Sequence, residues 1–165
     1  MTSEPAKLAP KPASASASQM AQVVLPTDTN LMGNALGGTV MHWIDIVAAI
    51  AAHRHAGRLC ATASVDDLSF DHPIRLGELA LLNARVTFVG RTSMEVRVDV
   101  DAEQLDTGTR RHTTTAFLTF VAVDGQGRPV DVPPLEVTAE DEAEHARAIV
   151  RRRDRLQRRA AVRGN

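Results

Sequence analysis

The chain of 165 residues is long enough for one domain with a sizeable core, and its 44% hydrophobic and 24% charged residues and formal net charge of −1 describe an ordinary soluble globular protein. That balance excludes the basic surface of a nucleic-acid binder, and with one Trp and no Tyr there is little aromatic surface on which single-stranded bases could stack. The single cysteine, Cys60, rules out an intramolecular disulfide and fits a reducing compartment.

In chain order, residues 1–19 (MTSEPAKLAPKPASASASQ) have almost nothing to bury and are expected to form a disordered, flexible tail. They hold no apolar h-region, so a cytoplasmic location is expected. QMAQVVLP (19–26) predicts a short strand ended by Pro26. MGNALGG (32–38) predicts a turn, because Gly and Asn favour special backbone angles and disfavour a helix interior. From Thr39 to His55 the residues Val40, Met41, Trp43, Ile44, Val47, Ile50 and the alanines cover the whole circumference of a helix, which other structure must wrap. The run is short and is broken by His42 and Asp45, so a buried core helix is expected and no integral membrane association.

Strands dominate the next stretch. In SMEVRVDVDAEQL (93–105), Met94, Val96, Val98 and Val100 alternate with Glu95, Arg97, Asp99 and Asp101, a period-two strand with one wet face. ATASVDDLSF (61–70), ELALLNARVTFV (78–89) and RRHTTTAFLTFVAV (110–123) are strands of similar quality. Gly90 to Ser93 and Asp106 to Thr109 are short enough to be hairpin connections, giving an antiparallel meander of long strands, and DGQGRP (124–129) ends the sheet. Residues 136–165 predict a C-terminal Arg-rich helix on the surface, with Thr138 as N-cap and Asp141 three residues on. Its arginines, among them Arg151, Arg152, Arg153, Arg158 and Arg159, are expected to form a solvated face.

The fold class is α+β: one long buried helix wrapped by a curved antiparallel sheet of about five strands over residues 20–135, plus the C-terminal helix. One sheet covers only one side of such a helix. The other side needs a partner chain, so at least a homodimer is expected.

Asp45 is the first candidate for chemistry, because every neighbour within one turn except His42 is apolar and an ionised carboxylate there is costly unless paired or used. Asn34 lies in the Gly-flanked turn, where Asn is common for backbone reasons alone. Gly37 and Gly38 stand at the helix start, where free N–H groups and the helix dipole favour negative charge, so they are either turn glycines or an oxyanion hole. Seven residues of helix separate Gly38 from Asp45, about 10 Å along the axis. Both can act on one reacting carbon only if they come from different chains. His42 could share a helix face with Asp45, and Arg91, Thr92 and Ser93 at the hairpin GRTS would suit a phosphate. His53 and His55 diverge on a helix and no Cys cluster or HExxH is present, so no metal is expected; Cys60 reads as a small buried thiol.

Taken together, PTDTNLMGNALGGTVMHWIDIVAAIAAHRH, ASVDDLSFDHPIRLGE, VGRTSMEVRVDVDAE and TAFLTFVAVDGQGRPVDVPPL, in that order and spacing over about residues 23–135, closely resemble the acyl-CoA thioesterases of the hotdog fold, the group with the bacterial broad-specificity and brain-type acyl-CoA hydrolases. The resemblance implies a helix wrapped by an antiparallel sheet, paired into homodimers and commonly a trimer of dimers, a hexamer. It implies hydrolysis of an acyl-CoA substrate to a free carboxylic acid and coenzyme A, with no cofactor because coenzyme A is part of the substrate. Asp45 then falls on the family's base or nucleophile and Asn34 on a residue that helps place water or substrate across the dimer interface. Gly37 and Gly38 fall on the pair whose N–H polarises the thioester, and Arg91, Thr92 and Ser93 on the hairpin that contacts coenzyme A phosphates. Two other readings stay open: a non-catalytic hotdog sensor that binds acyl-CoA, and a hotdog hydratase or dehydratase, which would want a His as principal acid and base.

Overall fold

The computed structural model describes residues 8–163. Its centre is a five-stranded antiparallel sheet in the order β2 (Ser18–Val23), β4 (Leu79–Val89), β5 (Ser93–Glu103), β6 (Arg110–Ala122), β3 (Cys60–Phe70). The expected hairpins join β4 to β5 and β5 to β6, while β3 lies on the far edge beside β6. Alternation decides the faces: Val96, Val98 and Val100 of β5 pack with Leu82 and Val86 of β4 and Leu118 and Phe120 of β6 in one core. Full burial of each such side chain is worth roughly 1.5–3 kcal/mol.

Helix α1 (Gly37–Ala56) lies in that core, presenting Val40, Trp43, Ile44, Val47, Ala48, Ala51 and Ala52 as its buried face. The helix stops at Gly57, whose left-handed φ of 67° sets up a bond from its N–H to the His53 carbonyl. Met41, Ile46 and Ile50 remain about two-fifths exposed in the single chain, at 43%, 38% and 42%. Apolar residues thus surround the helix as expected, but the chain's own sheet covers only one side.

Both ends of the chain depart from expectation. The stretch expected to be a flexible tail is ordered from Lys11 onward: β1 (Lys11–Pro12) pairs in parallel with β7 (Leu135–Glu136), and a short 3-10 turn over Ala13–Ser16 follows. The reason is polar rather than apolar. Ser16 Oγ accepts from the Val86 N–H at 2.8 Å, and Lys11 Nζ donates to the His55 carbonyl at 2.9 Å, placing a cation on the negative end of α1. Residues 1–7, the rest of that expected tail, lie outside the described residues.

Helix α2 spans Glu142–Arg163 and starts later than the proposed Thr138 cap. Thr138 Oγ1 instead donates to Asp141 Oδ2 at 2.7 Å in a turn before the helix, and the Asp141 carbonyl accepts the His145 N–H at 2.8 Å. The helix lies over the sheet face opposite α1. Arg151 bridges Glu95 of β5 and Glu144 of α2, each at 2.7 Å, and its guanidinium stacks 3.8 Å from the Phe117 ring. Arg151 and Arg155 are therefore paired against the sheet, which corrects the expectation of a solvated arginine face; Arg153, Arg158 and Arg159 are exposed as expected.

Candidate active site

The loop before α1 is folded by Asn30. Its Oδ1 accepts from the N–H groups of Met32 at 2.9 Å and Asn34 at 3.2 Å, and its own N–H donates to the Asn34 carbonyl at 2.8 Å, with Gly33 turning the chain at φ 74°. Asn34 bridges to Arg75, whose N–H donates to Glu78 Oε2 at 2.8 Å. Arg111 grips the same carboxylate with two N–H groups, which holds the Glu78 carboxyl below the ordinary carboxylate range against the opposing effect of burial.

Helix α1 opens behind Leu36 with no side-chain cap, so among the described residues no side chain takes up the backbone N–H groups of its first turn. Gly37 and Gly38 are both exposed. A Cβ on Gly37 would meet the Phe70 ring at 3.4 Å, whereas one on Gly38 would meet nothing within 4 Å. The chain's own packing leaves room at Gly38 for a side chain it does not carry. Asn30, Asn34 and Gly37 line one depression of about 320 Å³, walled by Val40, Phe70 and His72.

Asp45 is absent from that lining. It lies half-buried on α1 and accepts a hydrogen bond at 2.8 Å from Thr62 Oγ1 of β3. His42, the partner considered from sequence, is exposed and makes no hydrogen bond to Asp45. Thr62 escaped the sequence reading because its only signal is a contact across seventeen residues between a helix and a strand. The hairpin residues lie near this second group: Ser93 and Ala61 are both opposite Val121, so two strand spacings, about 10 Å, separate them. Arg91 is exposed and pairs with Asp131 at 3.0 Å, while Thr92 and Ser93 offer their carbonyls to the N–H groups of Ala122 and Gly90.

The remaining candidates are inert. Burial pushes the Cys60 thiol up to about 11, so it is protonated at neutral pH. His55 is fully buried, bonds the Pro133 carbonyl through Nε2 at 2.9 Å and is lowered in pKa by its burial. Among the described residues no group of His, Cys, Asp and Glu could hold a metal ion.

The family model described as the thioesterase superfamily matches residues 32–109. Over 136 residues the chain is 43% identical to the uncharacterized acyl-CoA thioester hydrolase YkhA of Bacillus subtilis, with 82% of this chain and 79% of that one covered. The chain belongs to the hotdog-fold acyl-CoA thioesterase family. A hexameric acyl-CoA thioesterase, solved in its apo form, is 40% identical with a TM-score of 0.89, over 93% of this chain and 99% of that one. An acyl-CoA hydrolase of Staphylococcus aureus, solved with butyryl-CoA and CoA, is 34% identical with a TM-score of 0.87, over 93% and 94% of the two chains. Variants of that hydrolase with an asparagine, an aspartate or a threonine replaced by alanine have also been solved. A mouse relative, acyl-coenzyme A thioesterase 11, is 39% identical over 84% of this chain, but the chain spans only 23% of its length.

Proposed function

We propose that two copies of this chain together hydrolyse the thioester of acyl-CoA to a free carboxylic acid and coenzyme A. One observation carries the two-chain reading: strand β3 holds Thr62, with Asp45, near one end and Phe70, with Asn30, Asn34 and Gly37, at the other. Along α1, which carries both Gly37 and Asp45, the eight-residue step from one to the other spans about 12 Å, too far for both to reach one reacting carbon within one chain. Because β3 is a sheet edge, pairing it antiparallel with a second copy about a two-fold axis brings the Thr62 end of one against the Phe70 end of the other. The exposed Met41, Ile46 and Ile50 of the two α1 helices are then covered as well.

In the joined site the first-turn N–H groups at Gly37 and Gly38 polarise the thioester carbonyl, and the helix dipole stabilises the oxyanion. Asp45 of the other chain either takes a proton from water or attacks the carbonyl itself, and Thr62 fixes its carboxylate. On the first route the water oxygen forms the new C–O bond as the C–S bond breaks; on the second the Asp45 oxygen forms it, giving an anhydride that water then cleaves to the free acid and the Asp45 carboxylate. On both, the leaving thiolate takes up a proton as coenzyme A. Arg91, Thr92 and Ser93 receive its phosphates, and no cofactor is needed.

Two asparagines border the site. In the Staphylococcus aureus hydrolase, the replaced asparagine, aspartate and threonine stand fifteen and seventeen residues apart. Here those intervals from Asp45 fall on Asn30 and Thr62, so Asn30 is favoured as the residue that places water or the carbonyl. Asn34, the choice from sequence, is its neighbour in the same depression. A hydratase is disfavoured because His42 stands unengaged with Asp45, and a pure sensor because the acid and its oriented partner are both present. The hexameric relatives favour a trimer of such dimers. No helix among the described residues is long and apolar enough to cross a membrane; a cytoplasmic setting is supported by the rat cytosolic acyl coenzyme A thioester hydrolase, 38% identical over 81% of this chain.

Thiol release over a series of acyl-CoA chain lengths tests the reading: wild type releases coenzyme A, and binding without release leaves only the sensor. Single turnover in heavy-oxygen water separates the two routes, since label in the Asp45 carboxylate marks covalent attack.

A further inference from the structure

Thr62 faces Asp45 because of an irregularity in β3. In the pairing with β6, Thr62 is opposite Phe120 and Ser64 opposite Thr119, so Ala63 is an extra residue; Val65 is opposite Leu118 and Asp67 opposite Phe117, so Asp66 is a second. Each bulge reverses which side of the sheet the following residues face, and two together restore the phase. Thr62, Val65 and Leu68 thereby all sit opposite residues of the α1-facing core layer, Phe120, Leu118 and Ala116. Loss of one bulge alone would turn Thr62 away from Asp45.

Both bulges are tied to one carboxylate on the opposite side of the sheet. Asp66 Oδ1 accepts from Ser64 Oγ at 2.6 Å, and its Oδ2 accepts from Thr119 Oγ1 and from Arg155 Nη1 of α2, the latter at 2.9 Å. The Arg155 and Asp66 side chains are only 11% and 10% exposed. One turn further along α2, Arg159 Nη2 reaches the carbonyl of Ala63, the first extra residue, at 3.5 Å. Helix α2, on the sheet face opposite α1, thus contacts the strand at both irregular points, firmly at Asp66 and more loosely at Ala63.

We propose that Arg155, through Asp66, is a positioning residue for thioester hydrolysis: it holds the double bulge of β3 in the register that points Thr62 at Asp45. The inference rests on the thioesterase reading above. Ion pairing of a buried carboxylate with an arginine is costly to break, so the clamp is rigid while α2 stays docked. Its effect reaches the chemistry only by way of Thr62.

The test is steady-state thioester hydrolysis by Arg155→Ala, Thr62→Ala, the double variant and Arg155→Lys, with Arg158→Ala on the exposed side of the same helix as control. Arg155→Ala should lower kcat about ten- to a hundred-fold, as expected for a misplaced catalytic contact, with KM changed less than about three-fold. The double variant should be no slower than Thr62→Ala alone, since residues acting as one unit are not additive. Arg155→Lys should recover much of the loss. Multiplying losses in the double variant, or full kcat in Arg155→Ala, overturns the proposal. Should Arg155→Ala not fold, Asp66→Asn, which keeps the shape and removes the charge, must show the same kcat loss and the same non-additivity, and full activity there overturns it equally. A wild type that releases no thiol would instead refute the thioesterase reading itself.

Discussion

Asp45 raised the question of what one carboxylate does in an otherwise apolar helix, and its geometry gives half of the answer. One of its two oxygens accepts from Thr62 on a strand, so the fold orients the carboxylate; in the proposed mechanism the other oxygen acts on water or on the thioester carbonyl. Asp45→Asn should reduce kcat by about 10²- to 10⁴-fold, the range for loss of a general base, while circular dichroism and elution volume stay those of wild type. Wild-type turnover in that variant would remove Asp45 from the mechanism. The same assay separates the two asparagines: Asn30→Ala should cost far more kcat than Asn34→Ala, and only Asn30→Ala removes the side-chain acceptor that holds the turn, since Asn34 contributes its backbone N–H. Cys60→Ser should leave turnover within about two-fold, since a thiol held protonated is no nucleophile. At this scale sequence disclosed the residues with unusual surroundings, Asp45 and the glycines. Thr62 could not be read, because a threonine in a strand is ordinary until its partner is known.

The long elements were legible from periodicity. The alternation in β5 shows which residues face α1, although Glu95 on the expected wet face is buried under α2, and the apolar run of α1 shows that the helix is enclosed without showing which side the sheet covers; the boundaries agree within a few residues. Order at the N-terminal segment was not legible, because it is held by a serine hydroxyl and a lysine, residues equally at home in a tail. Ser16→Ala should lower stability by about 1 kcal/mol, since the Val86 N–H loses its partner in a buried place, and urea unfolding would measure it. The loop behind Asn34 depends on Glu78, whose carboxyl Arg111 holds below its ordinary value. A depressed folded-state pKa gives stability that is present above the unfolded value of about 4.3 and is lost as pH falls through the folded value. The difference in melting temperature between wild type and Glu78→Gln should therefore be largest near neutrality and shrink below about pH 4. A constant difference across that range would mean that Glu78 acts by packing alone.

At the scale of the whole molecule, one chain leaves two features unfinished: an eleven-residue edge strand, and a helix face of Met41, Ile46 and Ile50 exposed to water. Ile46→Glu should shift the protein to monomers in sedimentation and abolish hydrolysis, because neither half-site is sufficient. The central claim, that each site takes Asp45 from one chain and Asn30 with the α1 N-terminus from another, is tested most directly by complementation. Asp45→Asn and Asn30→Ala, each nearly inactive alone, are co-expressed with different tags and the mixed assembly is isolated. A site shared between chains predicts that the isolated mixed dimer recovers about half of wild-type activity, because one of its two sites is intact. Activity no higher than that of the separate variants would contradict the claim and place both residues in a site within one chain.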